Sequence, residues 1–211
     1  MRPHYRLFIA LLCLFGMASC HTRPAPEPEE ETVAADTLME TDTVVEADTI
    51  IYTLDHLSEY DPLIQRQAEK MGWDWRLLAS LIYQESRFNP NLVNEKGAFG
   101  LMQLMPVIME NYGIDSTSTI EEQLDAAGRL LKYLDRNLSQ NVTDSLERKY
   151  FVLAGYNAGL NNVLKAMVRA EGNGKNGAVW FDNVEHYCPR QTYFFVRDIT
   201  ERYALYKTMI R

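Results

Sequence analysis

Apolar residues in this chain recur three and four positions apart, the spacing that gathers them on one side of a helix, and no stretch alternates apolar and polar positions long enough to suit a sheet. The punctuation between the periodic stretches predicts where each helix begins and ends. Asp61-Pro62 reads as a cap followed by proline in the first turn, with Leu63, Gln67 and Met71 leading to a stop at Gly72. Asp74 caps a second helix that carries Leu78, Leu81 and Ile82 inward and runs to Asn89-Pro90. Pro106 opens a short helix that halts at Gly113. Ser118 or Thr119 starts a longer one, with Leu124, Ala127, Leu130, Leu131, Leu134 and Leu138 on one face and Glu121 and Glu122 in its first turn. Asp144 caps a helix from Ser145 to Tyr156 that ends at Asn157-Ala158-Gly159, and Leu160 to Ala170 is amphipathic again. Glu171 to Gly177 is a polar loop, and a last helix near Pro189 has the stripe Tyr193, Val196, Ile199, Tyr203. Short helices joined by short loops, with no internal repeat, predict an all-α domain.

One position breaks the apolar pattern. Glu85 occupies the next step of the ladder Leu78, Leu81, Ile82, so its carboxylate points at the core. A buried carboxylate either finds a cation, with Arg87 and Arg76 as candidates, or keeps its proton to high pH. In the second case it is a general acid near pH 7. After it come Gly97-Ala98-Phe99-Gly100 and Leu101-Met102-Gln103-Leu104-Met105-Pro106. The glycines allow close backbone approach, and Gln103 offers both a donor and an acceptor to sugar hydroxyls or amides.

The chain has 211 residues, 46% of them hydrophobic and 11% aromatic, enough for one domain with a core plus extra chain. The extra chain is at the front. Residues 1–19 join Arg2 and Arg6 to an apolar run from Leu7 to Ala18, too short to span a bilayer comfortably, and read as a signal peptide. Met17-Ala18-Ser19-Cys20 resembles a bacterial lipobox, in which Cys20 becomes the lipidated N-terminus. Residues 20–50 form the lipidated cysteine and a tether whose acidic residues, Glu27, Glu29, Glu30, Glu31, Asp36, Glu40, Asp42, Glu46 and Asp48, face only Arg23. Most of the formal charge of −8 therefore belongs to the tether, and the domain at 51–211 is close to neutral. That balance shows neither a nucleic-acid footprint nor a basic membrane-surface patch. Of the three cysteines, Cys13 lies in the removed segment and Cys20 carries lipid, which leaves Cys188 without a partner, as a packed small hydrophobe.

Glu85-Ser86, then Gly97-Ala98-x-Gly100-Leu101-Met102-Gln103-Leu104-Met105-Pro106, then Gly155-Tyr156-Asn157-Ala158-Gly159, in that order and spacing, resemble the catalytic module of the soluble-type lytic transglycosylases of bacterial cell walls, relatives of goose-type lysozyme. The resemblance spans roughly residues 58 to 210. It implies a lysozyme-like, lobed all-α domain with a substrate cleft, acting on peptidoglycan glycan strands at the β-1,4 bond between N-acetylmuramic acid and N-acetylglucosamine. Glu85 would be the catalytic acid and then base, closing a 1,6-anhydro ring. Tyr156 would lie against the acid and orient it, Gln103 and Met105 would line sugar and peptide subsites, and Asn157 would shape its turn. Ser86 follows the acid and can bond locally or serve the site.

Two departures from the family pattern stand out. Asn94 stands where a serine is common and can reach an N-acetyl group with a longer arm. Gln191-Thr192-Tyr193-Phe194-Phe195-Val196 replaces the usual Glu-Thr-x-x-Tyr-Val, so the glutamate charge is lost at Gln191 and the tyrosine hydroxyl at Phe195, and the resemblance does not carry stem-peptide recognition over to this stretch. Glu95 and Glu110 stay open as further carboxylates. Two rival readings are a goose-type hydrolase that admits water to the same centre, and a wall-binding lipoprotein that holds glycan without cutting it. No metal or organic cofactor is implied: His56 and His186 are isolated and Cys188 has no ligand-spaced companion. The expected state is a monomer in the periplasm, held by its lipid alone, with the outer membrane as the expected anchor site. Cys20→Ala is expected to move the protein from the membrane to the soluble fraction, and fractionation that does not change would reject the anchor.

Overall fold

The structure, a computed structural model, describes residues 56–175 and 180–210. All of them fall in the second of two units into which the chain divides, residues 49–211. The signal segment, Cys20 and the acidic tether lie outside the described residues, as do residues 51–55 and Asn176 and Gly177 of the polar loop.

The elements are α1 Asp61–Met71, α2 Trp75–Ser86, α3 Pro106–Tyr112, α4 Ile120–Leu138, α5 Ser145–Ala158, α6 Leu160–Gly172, the short α7 Phe181–Val184, and α8 Arg190–Met209, with a 3-10 turn at Glu185–Tyr187 before α8. No strand forms among the described residues; two isolated antiparallel bridges pair Val93 with Phe99 and Phe99 with Leu104. The all-α class read from the spacing is the one observed. Three caps sit where the sequence puts them. Asp74 accepts from the Arg76 N–H at 2.9 Å. Thr119 and Glu122 form a reciprocal capping box, and Asp144 accepts from the N–H groups of Leu146 and Glu147. Gly72 and Gly113 end α1 and α3 in the left-handed conformation, at φ 69° and 70°.

α2 lies against α1 and α8, α4 against α1 and α5, and α5 also against α6 and α8. The core they share includes Leu78, Leu81 and Ile82 of α2, Leu124 and Leu131 of α4, Phe151 and Leu153 of α5, and Leu101 and Met102 from the loop after α2. Each such side chain contributes about 1.5–3 kcal/mol on leaving water. Close approach between helices is bought with small residues. A Cβ at Gly128 of α4 would collide with the Gln67 amide on α1, and one at Gly155 of α5 would meet Leu134 Cδ2 at 3.2 Å.

Three expectations are corrected. Asp61 does not cap α1: it is the first helical residue, only 5% exposed, and its carboxylate accepts from the Leu57 and Ser58 N–H groups and the Ser58 hydroxyl at 2.6–3.0 Å. It ties down the incoming chain instead of the helix end. α2 stops at Ser86, short of Asn89, because Arg87 and Phe88 both turn left-handed at φ 52° and 64°. Neither is glycine, so each costs about 1–2 kcal/mol. The Arg87 guanidinium donates to the Tyr83 hydroxyl at 2.9 Å and the Phe88 ring meets Tyr83 edge-on, which holds the turn from one helical residue. On α8 the buried face is Thr192, Phe195, Val196, Ile199 and Tyr206; Tyr193 and Tyr203 are half-buried at its margins. Tyr203 sits there because its hydroxyl donates to Asp74 at 3.1 Å, which needs a place at the edge. Cys188 is buried, and burial pushes its thiol up to about 11, in keeping with a packing role.

Phe151 is fully buried and meets Phe181 edge-on at 5.2 Å, so Phe151→Ala is expected to cost about 3–5 kcal/mol in urea unfolding. A loss below about 1 kcal/mol would show that α5 is not the centre of the core.

Candidate active site

Glu85 lies in the last turn of α2, where the helix delivers its side chain beside the loop that follows, and it is half-buried. The two arginines that could neutralise it are engaged elsewhere. Arg76 pairs with Asp74 at 3.4 Å and donates to the Ile210 carbonyl, while Arg87 lies on Tyr83. No ion pair among the described residues includes Glu85. Burial pushes its carboxyl from the ordinary 4.5 up to about 8, and no charged group of either sign contributes to that shift. At pH 7 such a carboxyl carries a proton that it can hand to an oxygen.

The loop from Arg87 to Met105 is built by its own polar side chains. The Asn94 side-chain oxygen accepts from the Lys96 and Ala98 N–H groups at 2.8 and 3.0 Å, an Asx turn that leaves only the side chain's NH2 group for a ligand. Phe99 and Leu104 exchange two backbone hydrogen bonds of 3.0 Å, and the Gly100 N–H donates to the Leu92 carbonyl at 2.9 Å. Gln103 closes the tip in a left-handed conformation, φ 46°, with 9% exposure. Its NH2 group donates to the Leu92 and Gly100 carbonyls at 2.9 and 3.1 Å. The donor that the sequence offers to a sugar is therefore spent on the loop, and the amide oxygen is what remains. Met105 is 40% exposed at the entry to α3.

Tyr156 reaches this loop from the end of α5 and donates to the Met102 carbonyl at 2.6 Å. Burial, and then the charge of Glu85, push its phenol well above its ordinary value, and no hydrogen bond joins the two side chains among the described residues. Its single proton is committed to Met102, so towards Glu85 the phenol oxygen offers lone pairs and suits the protonated acid. Asn157 does not merely shape a turn: its side-chain oxygen accepts from Thr192 at 2.8 Å and joins α5 to α8. Gln191, the neighbour of Thr192, is exposed. Ser86 is 4% exposed and donates to the Ile82 carbonyl at 3.3 Å, a local bond of the kind serine makes within helices. Glu95 and Glu110 are exposed.

Sequence reading missed three participants. The Met102 carbonyl has no signature, since every residue has one. Thr192 and Gln123 are polar residues on buried helix faces, at 1% and 4% exposure, and that violation of the apolar pattern was the available signal. None of five hollows of about 290–430 Å3 among the described residues is lined by Glu85. Among the described residues no cluster of His, Cys, Asp and Glu could hold a metal ion, and no helix is long and apolar enough to cross a membrane.

Comparison with known proteins places this geometry. A family model described as Transglycosylase SLT domain matches residues 62–178. The membrane-bound lytic murein transglycosylase F of Marinobacter nauticus is 33% identical over 135 residues, 64% of this chain and 26% of that protein. Its counterpart in Desulfosudis oleivorans is 35% identical over 130 residues, 62% of this chain and 28% of that protein. The chain thus spans about a quarter of the length of these curated relatives. Among solved structures, an inactive mutant of the lytic transglycosylase Slt of Pseudomonas aeruginosa superposes with a TM-score of 0.54 at 20% identity, covering 70% of this chain and 24% of that one. The 70 kDa soluble lytic transglycosylase of Escherichia coli gives 0.53 at 23% identity, with the same coverage. These two likenesses establish the lysozyme-like helical fold. Because the family model takes in more than half of the sequence and the fold agrees with it, this chain belongs to the transglycosylase SLT domain family.

Proposed function

We propose that this protein is a peptidoglycan lytic transglycosylase that cleaves the β-1,4 bond between N-acetylmuramic acid and N-acetylglucosamine and leaves a 1,6-anhydro-muramyl end. The observation that carries this reading is the state of Glu85, a carboxyl held up to about 8 by burial with no second carboxylate and no cation acting on it. A glycosidase that activates water ordinarily needs two carboxylates, and a lone acid suits a substrate that brings its own nucleophile.

In the proposed sequence Glu85 gives its proton to the glycosidic oxygen as the bond to muramyl C1 breaks. The muramyl acetamido oxygen supports the positive charge that develops at C1. The Glu85 carboxylate then takes the proton of the muramyl C6 hydroxyl while that oxygen bonds to C1, and the carboxyl ends protonated as it began. No water is consumed. Tyr156 has the part of receiving the Glu85 proton in a hydrogen bond between turnovers, which fixes the direction the acid faces. The free Gln103 oxygen, the Asn94 NH2 group and Met105 are assigned to substrate contacts along the loop, and Gln191 to the peptide side. Ser86 and Asn157 have the role of positioning the acid's helix end and the Tyr156 helix end, in view of their bonds to Ile82 and Thr192.

Its likeness to membrane-bound lytic murein transglycosylases supports a place in the bacterial cell envelope. The finer proposal is a signal peptide over residues 1–19, lipidation at Cys20, an acidic tether to residue 50, and a periplasmic domain anchored to the outer membrane and acting as a monomer.

Mass spectrometry of digested sacculi is expected to find anhydro-muramyl ends, whereas reducing ends would make the protein a hydrolase. Glu85→Gln is expected to lower the digestion rate by at least about 10²–10⁴-fold, and equal digestion by both forms would remove Glu85 from the chemistry. The rate should also fall as pH rises through about 8, where Glu85 loses its proton. The same shift has a stability consequence. The folded form binds the Glu85 proton more tightly than the unfolded chain, whose value is near 4.5, so stability declines as pH rises from about 5 through 8. Glu85→Gln is therefore expected to melt with the wild type at pH 4 and to be more stable by on the order of 1–3 kcal/mol at pH 7–8, as measured by calorimetry.

A further inference from the structure

Gln123 lies in the first turn of α4, where its own N–H donates to the Thr119 carbonyl at 3.0 Å. The capping box between Thr119 and Glu122 fixes that turn. A glutamine facing the core at 4% exposure is a poor substitute for leucine unless both ends of its amide are used. Both are. The Gln123 oxygen accepts from the Leu101 N–H at 3.3 Å, and its NH2 group donates to the Ser118 carbonyl at 3.2 Å.

The amide rests on Gly100, the residue of the loop with φ +80°, where an added Cβ would collide with the Gln123 oxygen and come within 2.9 Å of its Cδ. The turn from Gly100 to Gln103 is thus held from two sides. Gln103 grips the Gly100 carbonyl through its own N–H at 3.2 Å and its side chain at 3.1 Å, and Gln123 grips the Leu101 N–H from α4. Met102 stands between those grips, and its carbonyl receives the Tyr156 hydroxyl.

We propose that Gln123 is a positioning residue of the active site: by holding the Gly100-Leu101 peptide from α4 it sets where the Met102 carbonyl stands, and through that carbonyl the Tyr156 hydroxyl, which the proposed function pairs with Glu85. The route runs from a helix cap through one amide to a backbone turn and a phenol, and Gln123 touches no substrate along it. The functional half of the proposal rests on Glu85 being the acid; the positional half does not. Without the Gln123 bond the turn is free to shift, water gains access to the carboxyl, and the acid titrates closer to an exposed glutamate. A displacement of about 1 Å in a catalytic group can cost 10²-fold in rate.

The test follows the Glu85 carboxyl by 13C NMR in the full chain, with its resonance identified by loss in Glu85→Gln, alongside steady-state digestion of muropeptides. Gln123→Met removes both hydrogen bonds at nearly constant volume. It is expected to lower the Glu85 midpoint by about one unit. It is also expected to lower kcat about 10–100-fold with KM within about twofold. Gln67→Met is the matched control, since Gln67 is equally buried and rests on Gly128 at the seam of α1 and α4; it is expected to leave the midpoint and kcat unchanged. Gln123→Glu, neutral at this depth below the pH of its own ionisation, presents an acceptor and a donor at the same two places and is expected to restore both readouts. Gln123→Asn, whose amide falls short of Leu101, is expected to move them in the same direction as Gln123→Met and serves if that variant does not fold. A Glu85 midpoint that Gln123→Met and Gln123→Asn leave in place, or that Gln67→Met moves as far, overturns the proposal. A shifted midpoint in a protein whose wild type releases no anhydro-muramyl product upholds the positioning role and overturns the proposed function instead.

Discussion

A carboxyl group withheld from water and given no cation is an expensive thing to fold around, and the centre of this domain is organised to keep one there. Helix α2 supplies an apolar face of Leu78, Leu81 and Ile82 and then, in its last turn, Glu85. No cation pairs with it among the described residues: Arg76, at the far end of the same helix, is held by Asp74 and the Ile210 carbonyl, and Arg87 by the Tyr83 ring. What lies near the acid is a phenol whose proton is already given to Met102. Paired with Arg87, the group would be a settled anion at neutral pH. Left unpaired, it costs stability that the remainder of the core has to offset.

The loop after α2 shows how the surroundings are made rigid without strands. Asn94 and Gln123 each set a side-chain oxygen on backbone N–H groups of the loop, Gln103 adds its NH2 group to two carbonyls that already accept a backbone bond, and Phe99 and Leu104 exchange a single pair of backbone bonds. Side-chain amides thus do for this loop what a sheet would do elsewhere. Much of the polar equipment visible in the sequence is thus used within the loop, and what its own bonds leave over is one oxygen of Gln103, one NH2 group of Asn94 and the exposed thioether of Met105.

The sequence made the helices legible because period and punctuation agree: Asp74, Thr119 and Asp144 cap as their chemistry requires, and Gly72 and Gly113 stop as theirs does. Glu85 was legible as a charge on an apolar ladder. Less was readable where a rule had two outcomes. Asp61 before proline is a good cap, yet the same carboxylate satisfies two N–H groups upstream, and the choice is made by the chain before it. Arg87 and Phe88 adopt left-handed geometry with no glycine to announce it, because the stabilising contact is Tyr83, four and five residues back. Gln123 and Thr192 are partners across 22 and 35 positions, distances over which local pattern carries no information.

The contact between Gln67 and Gly128 bears on how such a domain can diverge. The two residues belong to different helices, and the glutamine amide fills the space that any side chain at 128 would need. Alanine at 128 on its own meets the Gln67 amide, whereas the same alanine beside a shorter residue 67 meets only the Met71 sulfur at 3.4 Å, an ordinary contact. The obstruction is the far end of a flexible side chain, so a larger residue at 128 asks the Gln67 amide to swing aside or to be shortened, and the two positions are coupled across the seam.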